Sequence, residues 1–236
     1  MIEKRINSFK DYINVISEIN FSSIVLFRGI NDDYKLLPRI DRDEFTHFDG
    51  MKIFESFKTK SIQFLKSIPQ SELDWLVLAQ HYGLPTCLLD WTDSALVALW
   101  FAVKKDASIR RENSQPIVWV LMLEKNELKS IVEIRKDYNL SKNKRTEFFQ
   151  PAHISNRIIN QGAWLSLHPI NIPKKGKTFM PLEENNSYNE KLIKLKIKFD
   201  ICDEIETLLN IFGINILTIF PGLDSLSKHI IQYNKI

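Results

Sequence analysis

Side chains capable of chemistry stand close together in two places. The first is Arg28-Gly29, directly after the apolar run at 23–27, SIVLF. The second runs from Leu78 to Ala102, LAQHYGLPTCLLDWTDSALVALWFA, and carries Gln80, His81, Cys87, Asp90, Trp91, Thr92 and Ser94. An arginine at the end of a buried strand is costly unless it is paired. Its planar fork can hold a phosphate or a carboxylate, and Gly29 beside it would let a ligand approach the backbone. A structural ion pair to an acid such as Asp90 would satisfy the same arginine. Asp90, between an apolar strand and an apolar helix, must hydrogen-bond a helix N-terminus, Arg28 or a ligand. Trp91 could stack on a planar ring while Thr92 holds a hydroxyl; a core tryptophan within a strand-to-helix cap gives the same pattern. His81 sits where a helix ends before Gly83-Leu84-Pro85, so it either complements the helix dipole or faces a site.

Cys87 follows His81 by six residues. A Cys-His nucleophile needs spatial contact and a lowered thiol pKa, whereas a lone buried cysteine is ordinarily inert packing. The five histidines (His47, His81, His153, His168, His229) show no HxH or HxxxH spacing and no zinc pattern. The basic residues Arg135, Lys136, Lys142, Lys144, Arg145, Lys174, Lys175 and Lys177 are expected as solvated loop charges, with phosphate contact as the alternative.

Elements must position these groups. SFKDYINVISEIN at 8–20 spaces Phe9, Tyr12, Ile13, Ile16 and Ile19 as one helical face, with Ser8 as N-cap. SIVLF reads as a buried strand ending at Arg28. LLPR at 36–39 is extended or a turn. Helical spacing runs from Asp43 to Ile68, and Ser71 with Asp74 starts another helix that Gly83 stops. TCLLDW is extended, and Asp93 or Thr92 caps the apolar helix that follows. PIVWVLML at 116–123 is a strand, 132–150 a polar surface loop, and SNRIINQGAWLSLHP a helical turn leading to a strand at 163–167. The stretch 173–190 is loop-like. LIKLKIKF alternates into a half-buried strand with a lysine-rich face. DICDEIETLLNIFG is a helix capped by Asp200 and stopped by Gly213, INILTIF a buried strand, and GLDSLSKHIIQY a closing helix.

The chain has 236 residues, 44% hydrophobic and 26% charged, which suffices for one core, and the reading is a single domain over 1–236. Helices lead and strands follow. The fold class is α+β, with N-terminal helices followed by a mixed, mostly antiparallel sheet, continuous or split, with flanking helices. A net charge of +3 does not announce a nucleic-acid binder. Two cysteines, Cys87 and Cys202, cannot build a disulfide framework, and no apolar run approaches 20 residues. These features point to a soluble, cytoplasmic protein with no membrane partner.

The segments LFRG at 26–29, LLPR at 36–39, 78–102, NRIINQGAWLSLHP at 156–169 and IFPGLDSLSKHI at 219–230 resemble the FRG domain family, named for its Phe-Arg-Gly motif. The family pattern has arginine where this chain has Cys87, which argues against a cysteine nucleophile. The family occurs in bacteria and phages, in settings that suggest defence.

A more distant resemblance is to ADP-ribosyltransferase domains of the Arg-Ser-Glu class, in which an arginine ends the first core strand and a Ser/Thr-x-Ser strand end precedes an A-x-x-F-A helix. Thr92-Asp93-Ser94, Ala98 and Phe101-Ala102 are similar in spacing. That resemblance implies NAD as cofactor or a related nucleotide as ligand, with nucleic acid or protein as acceptor. It implies Arg28 on phosphate, Thr92 and Ser94 shaping the ribose site, and Trp91 or His81 flanking the base. Gln161 stands near where that class has its glutamate, with Asp90, Glu147 and His168 as other candidates for the same task. A second reading is a non-catalytic nucleotide or nucleic-acid module with Arg28, Arg39 and Arg157 as its anion site. A third is a metal-independent hydrolase or nuclease with Asp90 and His81 as acid and base.

Overall fold

The computed structural model describes residues 1–20, 22–42, 45, 49–104, 114–137, 145–152, 156–169 and 179–233. The expectations placed on His47, Lys142, Lys144, His153, Lys174, Lys175 and Lys177 lie outside the described residues.

The chain opens on β1 (Ile2–Ile6), continues through α1 (Phe9–Ser17) and β2 (Ile24–Ile30), then α2 (Gly50–Ser61), α3 (Glu72–His81), β3 (Leu88–Thr92) and α4 (Ala95–Val103). Next come β4 (Ile117–Leu123), α5 (Ile131–Asp137), β5 (Glu147–Phe149), α6 (Asn156–Asn160) and β6 (Ala163–Leu167). The last elements are β7 (Leu192–Ile197), α7 (Cys202–Ile211), α8 (Ile216–Ile219) and α9 (Leu223–Tyr233). The strands form one seven-stranded sheet in the order β1-β7-β4-β2-β3-β6-β5. Among the described strands β1 and β7 pair in parallel, and the other neighbouring pairs are antiparallel. This is the expected α+β class, with a strand rather than a helix at the start.

Local signals set most boundaries. Ser8 accepts from Asp11 N and Ser71 from Asp74 N, each satisfying a free donor at a helix start. Gly83 at φ 86° ends α3 in a conformation that disfavours other residues. Four expectations fail. INILTIF forms the short helix α8, because Asn215 caps it by accepting from Leu217 N and Thr218 N. Asp200 does not cap α7; it lies in a 3-10 turn and pairs with Lys198. Of the helical stretch expected at 43–68, the described residues 49–68 form α2 plus a turn at 62–64, leaving Met51, Phe64 and Ile68 exposed. The surface loop at 132–150 contains β5, whose Phe148 and Phe149 are fully buried.

The core sits on both sheet faces, and its division positions the site. On one face, α1, α4 and α7 pack over β1, β7, β4 and β2 around Tyr12, Val25, Phe27, Leu99, Val118 and Leu195. On that same face, α3 with α2 and α5 packs over β3, β5 and β6 around Leu73, Leu76, Leu88, Phe149 and Leu165. The opposite face carries Leu26, Leu89, Trp91, Trp119, Leu121 and Phe148. The two helical groups therefore meet over the β2/β3 boundary. Gly29 lies beneath α4: a Cβ there would strike the Ala98 carbonyl and Ala102 N, so only glycine permits this helix–strand approach.

Candidate functional site

At the β2/β3 boundary the sheet comes apart. β2 pairs with β4 from Ile24 to Ile30, and β3 with β6 from Leu88 to Thr92. Between β2 and β3 there is one registered pair, Phe27 with Thr92. Past that pair β3 faces a gap, and its backbone needs partners from side chains. Arg28 supplies one. It lies within β2, not at the strand's end as its sequence setting suggests. Its Nη1 donates to the Asp90 carbonyl at 2.5 Å and stands 3.8 Å from Asp90 Oδ2.

A cavity of about 220 Å³ occupies the split. Arg28, Gly29, Asp90, Trp91, Thr92 and Gln161 all border it. α3 contributes Gln80 and His81, α4 contributes Phe101, and α6 contributes Arg157. The sequence thus named most of the polar wall, drawn from β2, β3, α3, α6 and the turn after α6.

The Asp90 carboxylate is the acid of this wall, and its side chain is 62% exposed. Gln80 Nε2 donates to both of its oxygens at 3.1 Å. The Gln80 amide cannot turn round, because Thr86 Oγ1 donates to Gln80 Oε1. Thr86 Oγ1 in turn accepts from Leu88 N at 3.1 Å, which commits its proton to Gln80. Thr86 went unnoticed in the sequence; its only signal was a hydroxyl after the Gly-Leu-Pro break.

Charge around the carboxylate is positive. The Arg28 side chain is 13% exposed, and burial pushes its pKa down to about 10 against the attraction of Asp90, so it stays cationic at neutral pH. Its Nε is buried with no hydrogen-bond partner among the described residues. Arg157 Nη1 donates to the His81 carbonyl at 3.2 Å, and its Cζ lies 4.6 Å from the Phe220 ring centroid. Burial lowers the Arg157 pKa, and Asp90 opposes that. Burial, then the Arg157 charge, lowers His81, favouring a neutral imidazole. Two guanidiniums against one carboxylate make a site suited to an anion.

Other candidates serve the scaffold. Ser94, not Asp93 or Thr92, is the N-cap of α4 and accepts from Val97 N; it does not border the cavity. Thr92 Oγ1 donates to the Gln161 carbonyl at 2.6 Å and accepts from Ser94 N. Gln161 Nε2 donates to the Ile219 carbonyl at 3.4 Å, tying this wall to α8. The space beside Gly29 is taken by α4, so its lack of a side chain serves helix packing. The Trp91 ring belongs to the opposite face, where Nε1 donates to Ser166 Oγ at 2.9 Å. Arg39 donates to the Gly83 carbonyl and lies over Phe45, away from the cavity.

Glu147 is buried on β5 and paired with Lys129 Nζ at 2.6 Å, outside the cavity. His168 is buried too. Ser166 Oγ accepts from Trp91, so it donates to His168 Nε2 at 2.9 Å and holds the ring as a neutral acceptor. Burial and the Arg28 charge push the His168 pKa down to about 3. Burial pushes the Cys87 thiol up to about 12, the opposite of what a nucleophile needs. Arg135 is spent on Asp74 at 2.6 Å, and the β7 lysines Lys194 and Lys196 pair with Asp33 and Glu3. No helix among the described residues is long and apolar enough to cross a membrane.

No curated protein and no solved structure matches this chain. A family model does: it spans residues 23–111, and so contains Arg28, Gln80, His81, Thr86 and Asp90, while Arg157 and Gln161 lie beyond it. With Arg28 set in LFRG and Asp90 in LLDWT inside that span, residues 23–111 match the model of the FRG domain.

Proposed function

We propose that this FRG domain binds NAD or a related nucleotide in the β2/β3 cavity and breaks its ribosyl–base bond. The ADP-ribose passes to a protein or nucleic-acid acceptor, or to water. The observation that carries this reading is the Asp90 carboxylate, clamped by Gln80 and set in one cavity with Arg28 and Arg157. Breaking the C1′–N bond sends the electron pair to the departing base and leaves oxocarbenium character on the sugar, which a fixed carboxylate stabilises. The acceptor's oxygen or nitrogen then bonds C1′ and releases its proton, with neutral His81 as the nearby base. Arg157 and the buried Arg28 face phosphate oxygens.

Asp90 takes the task that the resemblance to ADP-ribosyltransferases left to Gln161, whose carbonyl and amide are held by Thr92 and Ile219. The cavity, at about 220 Å³, is below the roughly 300–1,000 Å³ usual for a whole small-molecule ligand. It suits the half of a dinucleotide that holds the scissile bond, with the rest outside. The role in bacterial or phage conflict belongs to this reading as well.

Incubation with NAD labelled in the nicotinamide tests it. Base release is expected, and Asp90→Asn is expected to lower kcat by about 100-fold or more. Arg157→Ala is expected to raise KM. No binding of NAD at millimolar concentration sinks the proposal. Binding without base release moves the reading to a non-catalytic nucleotide module. Nucleic-acid cleavage in chelator that His81→Ala abolishes would replace both with the metal-independent nuclease.

A further inference from the structure

Three residues at α6 meet three consecutive residues at the end of α8. Asn160 Nδ2 donates to the Thr218 carbonyl at 2.7 Å, and Gln161 Nε2 to the Ile219 carbonyl at 3.4 Å. The Arg157 Cζ lies 4.6 Å from the centroid of the Phe220 ring. Asn160 and Gln161 follow Arg157 by three and four residues, the spacing that puts side chains on one helix face. A helix of five residues cannot hold its own place in water, so α6 depends on what it docks against.

That docking partner is itself fixed. Asn215 and Thr218 form a capping box at the start of α8, and Ile219 is fully buried. The Phe220 ring is wedged against Trp100 and Phe101, with centroids 6.0 and 5.9 Å away. Arg157 borders the β2/β3 cavity, and Phe220 stands behind it, outside the lining. A guanidinium carries five N–H donors in its own plane. Stacking on an aromatic face fixes that plane and leaves its edges free to donate. One edge of Arg157 is spent on the His81 carbonyl through Nη1.

We propose that Phe220 is a positioning residue, which holds the Arg157 guanidinium from behind at the wall where an anionic ligand is gripped. The grip on phosphate rests on the nucleotide reading above; the placing of Arg157 does not.

His81 reports the position of Arg157 with no ligand present. Burial lowers its pKa most, and the Arg157 charge lowers it further. NMR titration of His81 therefore tests the placing. Arg157→Gln is expected to raise the His81 pKa, and Phe220→Met to raise it part of the way. Methionine keeps most of the volume but has no aromatic face, and Phe220→Leu serves if that variant does not fold. Phe220→Tyr restores the face and should titrate as the wild type does. In the Arg157→Gln background, Phe220→Met should leave His81 unmoved. With NAD as substrate, Phe220→Met should raise KM about fivefold with kcat little changed, and Phe220→Tyr should not.

A His81 pKa that ignores Arg157→Gln or Phe220→Met overturns the proposal. So does a shift in Phe220→Met that persists in the Arg157→Gln background, since general loosening would give that result. Base release from NAD with KM unchanged in Phe220→Met overturns the grip on phosphate. Failure of NAD to bind removes the nucleotide reading alone, and the His81 titration still decides whether Phe220 places Arg157.

Discussion

Arg28 and Asp90 face each other across the place where β2 and β3 part: Nη1 of the arginine donates to the carbonyl of the aspartate at 2.5 Å and lies 3.8 Å from its carboxylate. One guanidinium thus closes a gap in the sheet and charges the wall of the cavity. Arg28→Ala should destabilise the fold by about 2–4 kcal/mol, because it leaves a strand carbonyl and a carboxylate without their cation. Arg28→Lys keeps a charge but loses the fork, and should restore stability better than ligand binding. Urea denaturation beside NAD titration of both variants separates the two roles.

Gln80 and Thr86 should act on the site without touching a ligand's reacting atoms. Thr86→Val removes the hydroxyl that orients the Gln80 amide. The amide is then free to turn its oxygen toward Asp90, which repels the carboxylate. The expected result is a drop in kcat of about tenfold, equivalent to ~1.4 kcal/mol, with little change in KM. Gln80→Glu should do more harm than Gln80→Leu, since it sets two carboxylates side by side.

Gly29→Ala should destabilise strongly although it adds one methyl group. The methyl would meet the backbone of α4 at Ala98 and Ala102, which cannot move aside as a side chain does. A loss of at least ~1–3 kcal/mol is expected, read as a lowered urea midpoint at unchanged m-value.

His168 should make the protein acid-sensitive. Its folded pKa is near 3 against an ordinary value of 6.5, so between those values the unfolded chain binds a proton the folded one refuses. Stability therefore rises with pH through that window and is lost on acidification from about pH 6.5 downward, with a slope approaching ~1.4 kcal/mol per pH unit. Above pH 7 the residue contributes no slope. Stability measured from pH 4 to 8 in His168→Gln should show a flatter acid limb than the wild type.

Cys87 should be inert. Its thiol is buried and its pKa raised, so thiol reagents should label it slowly in the native protein and rapidly in urea. Any base-releasing activity should survive Cys87→Ser. Loss of activity with the fold retained would contradict the placement of the reaction at Asp90.

Short-range signals in the chain specify the groups and most of the elements. Hydrophobic period, the Ser8 and Ser71 caps and the Gly83 stop act over a few residues, so α1, α3, β3, β4 and β6 were legible. Arg28 and Asp90 stood out because charged groups in apolar company need partners, and His81 because it stands where a helix ends. What failed had the same short range but a competing local pattern, as where the Asn215 cap turned an apolar β-branched run into a helix.

What those groups touch depends on long-range packing. Phe27 and Thr92 are 65 residues apart in the chain, and their single register pair opens the split between β2 and β3. That split sends Arg28 to the Asp90 carbonyl and gives the Asp90 carboxylate to the cavity. It also leaves Ser94 to a helix cap and Cys87 to the core. Pairing between distant strands depends on how whole helical layers pack against the sheet, and no short window of sequence contains that information.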